Sequence, residues 1–549
     1  MSRADELWRN VRPTVAFLLA WAALNTVANL RYPAADPGFW YLLPALDVVV
    51  LFGSFAVLGF TGRELPRALR WLLVALFLCA RLLRVGDGVQ QRYFDSQFNL
   101  YFDVPLIPEL FRLMHSTFPL WKFALLVLAL AGGLVALCFG IGLALKVSEK
   151  YLRRPRHVAL FAALSAAALV VPTPSAVRGT DWFAARSVTA SALPRIGTEI
   201  SFLAQAAELA EHYRQNIRDL QSELQRTPQD LAGLQGQHVF LFVVESYGRA
   251  AFDQPRLAHE MQSRLRTFEA RAADHGFATA SAWLESPTYG GRSWLAHATL
   301  STGVQIADQL AYQLLLRSQP LSLAHFFRRA GYRAVLAQPG TTRPFREGDA
   351  YGFDEKYYAW HFGYAGPRFS WAPMPDQFVI DFVHRREVER RAQPLFIEYA
   401  LVSSHTPWDL QPPLVEDWKN IGNGAVYQKL PPVRFDVQWP ELNDAAPAAY
   451  VRALAYDFDV LQRYLADFVR GDALIVILGD HQPPRQVTQS DSHDVPVHVI
   501  SRRRVFVDAF LARGYTQGMF PKARARRSGM RQFLPELLRT FSSNTQEKG

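Results

Sequence analysis

The chain has 549 residues, half of them hydrophobic and a fifth charged, with a formal net charge of +10. This composition excludes a disordered chain, a collagen-like repeat and a long solvated coiled coil, and two cysteines cannot make a disulfide framework. Basic residues that flank membrane spans raise the net charge as readily as a nucleic-acid surface does, so their placement decides the matter.

The first 172 residues repeatedly show apolar stretches near the roughly 20 residues that a bilayer core requires. Spans are predicted at Val15–Leu30, Trp40–Phe60, Leu69–Leu83, Leu120–Leu145 and Val158–Val171, the last short and Ala-rich. Cys79 and Cys138 fall inside these runs and are expected to be buried thiols. Three basic clusters sit at the span edges: Arg3, Arg9 and Arg12; Arg63, Arg67 and Arg70; and Lys146, Lys150, Arg153, Arg154 and Arg156. The positive-inside rule puts all three in the cytoplasm, so an odd number of spans sends residues 173–549 outside. Between the third and fourth spans, aromatic and charged residues mix around Tyr93 and Tyr101, which suits either an interfacial segment or a loop packed on the spans.

Residues 173–235 form a connector, broken by Pro172, Pro174 and Pro194, with a helix predicted over Thr198–Leu224. From residue 236 the pattern changes to short apolar runs alternating with amphipathic helices. Strands are expected at 239–244, 277–283, 333–337, 395–402, 474–479 and 495–500, with helices near 256–274, 294–302, 322–330, 376–391 and 447–469. Such alternation argues for an α/β domain around a largely parallel sheet, with chemistry at the carboxyl ends of its strands.

Those strand ends carry the candidate site residues. The run Val239–Val244 ends in Glu245, either a hard-metal or proton-handling ligand or a helix cap. The run Leu474–Leu478 ends in Gly479-Asp480-His481, an oxygen and an imidazole nitrogen that can point into one crevice as a divalent-metal site needs. Between them, Gly290-Gly291-Arg292-Ser293-Trp294 puts Ser293 where a helix begins, a place that stabilises negative charge and also suits a plain N-cap. It is not a Gly-x-Ser-x-Gly elbow. The strand Leu395–Val402 ends in Ser403-Ser404-His405-Thr406-Pro407-Trp408, so His405 either faces substrate or is a hydrogen-bonded loop histidine. His498 alternates along a strand and suits core packing or function equally. The basic stretch Lys522–Arg527 reads as a solvated face, with membrane contact second.

The ordered set resembles the alkaline phosphatase/sulfatase superfamily. With five spans in front of it, the chain looks like the membrane-anchored lipoteichoic acid synthase and phosphoglycerol transferase branch. The resemblance implies a five-helix transmembrane bundle (1–172), a helical connector (173–235) and an extracytoplasmic sulfatase-like α/β catalytic domain (236–549), in a bacterial cytoplasmic membrane. It implies that Glu245, Asp480 and His481 ligate one divalent metal ion, manganese first with zinc or magnesium as alternatives. Ser293 would be nucleophile and fourth ligand, and His405 and Arg346 would bind substrate. The implied activity moves a phosphorylated headgroup, phosphoglycerol foremost, from a phospholipid donor through a Ser-linked intermediate to an envelope glycan or lipid acceptor, with no nucleic-acid partner. A phosphoethanolamine transferase and a catalytically inactive lipid-binding regulator of envelope biogenesis are the alternatives. Three departures matter: Ser replaces the usual Thr nucleophile, the disulfides of lipid A phosphoethanolamine transferases are missing, and the Cys-x-Pro-x-Arg sequence of true sulfatases is absent. The last rejects sulfate-ester hydrolysis.

Overall fold

A computed structural model of the chain describes residues 3–30, 44–94, 97–117, 119–170, 192–390, 392–438, 442–522 and 525–543. They divide into two compact units, residues 1–207 and 208–549. Residue 171, the breaks expected at Pro172 and Pro174, and the part of the predicted connector before Ala192 lie outside the described residues.

In the first unit, helices Arg3–Asn29, Leu46–Phe60, Arg67–Phe94, Leu120–Tyr151 and Pro155–Val170 occupy the five apolar segments. Phe17, Trp21, Leu24, Phe52, Phe55, Val74, Phe77, Ile141, Leu145 and Phe161 make their shared core. Among the described helices two, Val11–Asn29 and Leu120–Tyr151, are long and apolar enough to cross a membrane. The expected set of five is therefore matched in helices but only partly in spanning character. Helix Leu46–Phe60 has 15 residues, and helix Pro155–Val170 has 16 up to the end of the described residues, against the roughly 20 of a full crossing. Helix Arg67–Phe94 carries Arg81, Arg84 and Asp87 in its interior. The thiols correct another expectation: Cys79 is exposed and Cys138 half-buried, because the apolar runs that carry them also cover the outside of the helical unit.

The second unit is built on a mixed sheet. Its strands are β1 (Val239–Val244), β2 (Ala278–Glu285), β3 (Arg333–Gln338), β4 (Glu355–Tyr358), β5 (Leu395–Leu401), β8 (Leu474–Gly479), β9 (Asp494–Ser501), β10 (Thr516–Gln517) and β11 (Arg527–Gly529). A separate pair, β6 (Leu410–Gln411) and β7 (Val433–Arg434), forms a two-stranded ribbon. The sheet order is β10-β2-β9-β8-β1-β5-β3-β4, with β11 on β2. The expectation of a largely parallel sheet holds for β8, β1, β5, β3 and β4. It fails at β9, which runs antiparallel to both β8 and β2.

Strands β1, β5 and β8 are buried throughout, as runs that are apolar apart from Glu398 require of a sheet covered on both faces. Register then positions the site. Val244 pairs with Leu401 on one side and Gly479 on the other, so Glu245, Val402 and Asp480 leave the sheet side by side. The crossing is tight, since a Cβ on Gly479 would lie 1.8 Å from the Tyr247 carbonyl oxygen. Glycine is required there.

Candidate metal centre

The three donors expected at the strand ends come together. One ligand atom from each of Glu245, Asp480 and His481 falls within 4.8 Å of the others, and all three residues are buried. His481 Nε2 lies 3.3 Å from Glu245 Oε1 and 3.4 Å from Asp480 Oδ2. The other ring nitrogen, Nδ1, sits 2.7 Å from the Gln482 carbonyl oxygen; a proton held there leaves Nε2 as the lone pair that faces the carboxylates.

The local backbone serves this arrangement. Ser246 adopts φ 59°, an uncommon conformation for a serine. It is held by Ser246 N donating to Asp480 Oδ1 at 2.7 Å, by its hydroxyl donating to Glu245 Oε1 at 3.1 Å and by Tyr450 Oη donating to its carbonyl at 2.8 Å. His481 N also donates to Asp480 Oδ1, at 2.6 Å. Oδ1 is thereby committed to the main chain, while Oδ2 has no hydrogen-bond partner among the described residues.

Ser293 opens helix Ser293–Thr302 behind a turn in which Gly290, Gly291 and Arg292 all take positive φ. Its Oγ lies 3.0 Å from Glu245 Oε2 and 3.1 Å from His481 Nε2. The first helical turn adds the positive end of the helix dipole.

Electrostatics test whether a cation fits. Burial opposes the charge on Glu245, yet the His481 and His405 imidazoles and the Ser293 hydroxyl hold its carboxyl below the usual range. Burial and the Glu245 charge push Asp480 up to about 7. His481 resists burial and rises to about 9 because Asp480 and Glu245 favour its imidazolium. Two protons, on Asp480 and His481, thus supply the positive charge that the two carboxylates demand. A divalent cation supplies the same charge to the same three donors, and it satisfies the orphaned Asp480 Oδ2. The residues fit a metal ion.

The other expected site residues stand differently. His405 follows β5; its ring stacks on Trp371 at 3.9 Å between centroids and its Nδ1 lies 2.7 Å from the Thr406 carbonyl. It interacts with Glu245 by charge, and burial lowers its pKa. Arg346 begins a short turn, Arg346–Tyr351, but its side chain lies outside the described residues. His498 is a core residue between Ser281 and Tyr247. The basic stretch is tied down in part: Arg526 pairs with Glu536 and Arg527 with Asp494, both at 2.7 Å, while residues 523 and 524 lie outside the described residues.

One pair was not expected. His297, one turn along the helix from Ser293, has Nδ1 3.3 Å from Glu398 Oε1 on β5. Both line a small pocket with Trp294, Tyr312, Phe345 and Tyr351. Glu398 is buried, and its Oε2 has no hydrogen-bond partner among the described residues. A single acid inside the apolar run Leu395–Leu401 was the available signal in the sequence.

The family model described as Sulfatase matches residues 238–538. No curated protein matches the chain. Among solved structures, the lipoteichoic acid synthase LtaP from Listeria monocytogenes is similar at 15% identity and TM-score 0.40, over 60% of this chain and 78% of that one. The phosphoglycerol transferase GacH from Streptococcus pyogenes, in complex with sn-glycerol-1-phosphate, is similar at 14% identity and TM-score 0.35, over 54% and 75%. The C-terminal periplasmic domain of EcEptC from Escherichia coli is similar at 15% identity and TM-score 0.36, over 56% and 80%.

Proposed function

The chain belongs to the sulfatase family, by the match over residues 238–538, and we propose that it is a membrane-bound, metal-dependent transferase. It moves a phosphorylated headgroup, phosphoglycerol foremost, from a phospholipid to an acceptor of the bacterial cell envelope. The observation that carries this reading is the Ser293 hydroxyl, 3.0 Å from Glu245 and 3.1 Å from His481 within a buried metal-competent donor set. The residues that would hold the ion are Glu245, Asp480, His481 and Ser293. When bound, a divalent ion lowers the pKa of a neighbouring hydroxyl and offsets phosphate charge.

The chain's own residues account for the rest. Ser293 Oγ attacks the lipid phosphodiester, the new Oγ–P bond forms, and the P–O bond to diacylglycerol breaks. The helix beginning at Ser293 stabilises the negative charge that develops there. The Ser293 hydroxyl proton passes to Glu245 or His481, which its Oγ already meets, and from there to the departing diacylglycerol oxygen. His405 contacts the headgroup or assists that departure, and Arg346 binds phosphate. An acceptor hydroxyl then displaces Ser293 and takes the group. The three basic clusters support five spans with residues 173–549 outside the cytoplasm. The test is mass spectrometry of intact chain taken from membranes. A headgroup phosphate adduct on Ser293, absent after Ser293→Ala, supports the covalent route; turnover that survives Ser293→Ala removes it.

A second donor has its own support. An ethanolamine headgroup carries an ammonium, which calls for a carboxylate and aromatic walls. Glu398, with an unpartnered oxygen, and the rings of Trp294, Tyr312 and Tyr351 offer both, one helical turn from Ser293.

A further inference from the structure

The turn after β5 is fastened from behind by two carboxyl groups with no donor between them. Asp376, the first residue of helix Asp376–Val383, accepts the Val402 N–H at 2.9 and 3.0 Å and the Ser403 N–H at 2.7 Å. Its own N–H donates to Ser403 Oγ at 3.0 Å. Asp457, in helix Ala446–Asp467, is fully buried beside Asp376 and Ser404. Neither of its oxygens has a hydrogen-bond donor among the described residues.

The Ser404 hydroxyl reaches Asp457 but donates to the Glu245 carbonyl, so a charged Asp457 would be a buried anion beside another anion with little to compensate it. Asp376 already has three main-chain contacts that favour its charge. The one donor that can satisfy both groups is a proton on Asp457 directed at Asp376.

We propose that Asp457 and Asp376 share one proton and act as a positioning pair for the turn that delivers Ser404 and His405. Ser404 Oγ donates to the Glu245 carbonyl at 2.8 Å, so the turn also braces the main chain of a metal donor. Two helical turns before Asp457, Tyr450 holds the Ser246 carbonyl, so one helix backs both strand ends. Burial and the Asp376 charge raise Asp457 well above the usual carboxyl range, in line with the geometry. The positioning role rests on the site reading above; the shared proton does not.

Infrared spectroscopy of the full chain in nanodiscs reads the proton directly. Wild type should show the C=O stretch of a protonated carboxyl group that Asp457→Asn removes. In headgroup transfer, Asp457→Asn should stay within about twofold of wild type, because its amide N–H replaces the O–H, while Asp457→Ala should lose about tenfold by leaving Asp376 without its donor. If Asp457→Ala does not fold, the Asn variant still decides. No protonated-acid band lost on Asp457→Asn, or a loss of transfer in that variant beyond tenfold, overturns the proposal. An absence of transfer in wild type with the band present sinks the site reading alone.

Discussion

In the N-terminal helical unit, Arg195 lies 3.0 Å from Asp87 and 2.6 Å from Glu199, with all three side chains buried. Glu149, also buried, pairs with Arg70 at 2.8 Å and Arg153 at 3.3 Å and accepts the Leu65 N–H at 2.8 Å. Around its site the α/β unit instead gathers like charges, Glu245 with Asp480 and Asp376 with Asp457, and leaves Glu398 half-satisfied by His297. Opposite charges paired in this way, with main-chain groups completing them, hold helices together. Carboxylates crowded at strand ends are incomplete without a proton or a cation, and that incompleteness marks where chemistry is placed.

The sharpest break of this contrast is at the like-charge cluster. Glu245→Ala, Asp480→Ala and His481→Ala should each lower transfer by about 10³-fold or more and reduce metal bound per chain, measured by elemental analysis. Ser293→Ala should end transfer yet keep part of the metal. Full metal content in all four variants would separate these residues from any ion.

The paired cluster should respond oppositely, in stability and not in metal content. Arg195→Met strands two buried acids and should cost about 3–5 kcal/mol, seen as earlier thermal unfolding of the helical unit in detergent. Adding Asp87→Leu and Glu199→Leu should restore most of it. A triple variant as unstable as the single one would mean the charges themselves are needed.

How much of this contrast was legible in the sequence depends on what each residue follows. Glu245 and Asp480 were visible because each follows a continuous apolar run, His405 because it lies in the loop after another strand-like run, and Ser293 because glycines precede it. Glu398, Asp376 and Asp457 were not: one sits inside a strand and two on helices, and their partners lie far away in the chain. The antiparallel course of β9 was also hidden, since an apolar run does not encode direction. Strands β4 and β11, with Glu355-Lys356 and Arg527-Ser528, are too short and polar to register. The predicted helix over 376–391 stops at Val383 and continues as a wider π turn, His384–Val388, a change of pitch that hydrophobic period does not reveal.

A third test concerns a buried group that stays neutral. His498 has Nδ1 2.7 Å from Ser281 Oγ and Nε2 3.0 Å from Tyr247 Oη. Ser281 donates to the Gly518 carbonyl at 2.6 Å, so it accepts from Nδ1–H while Tyr247 donates to Nε2. Burial pushes the His498 pKa down to about 3. Between its ordinary pKa near 6.5 and that value, the unfolded chain binds a proton that the folded one refuses. Stability is therefore full above about pH 6.5 and falls with acidification, by about 2–3 kcal/mol at pH 4.5 from this group. Denaturant unfolding of wild type and His498→Gln across that range should differ by this slope; parallel curves would count against a neutral His498.

The smallest effect discriminates between donors. Glu398 already faces His297, whose pKa is raised, against the pull of burial, by that contact and by the charges of Asp480 and Glu245. With Oε1 facing His297 Nδ1, Oε2 of Glu398 is left to meet a ligand. If the donor carries an ammonium, Glu398→Gln removes the charge that receives it and should lower diacylglycerol release from phosphatidylethanolamine about tenfold, with phosphatidylglycerol nearly unchanged. If the donor is phosphatidylglycerol, the neutral glycerol hydroxyls find an amide oxygen as good an acceptor as a carboxylate, and release should stay within about twofold. Headgroup-labelled lipids offered singly to wild type and Glu398→Gln separate the two. The result also bears on the contrast between the units: a selective tenfold loss would make Glu398 another incomplete charge reserved for a ligand, whereas an unchanged profile would class the His297–Glu398 pair with Arg195 and its acids.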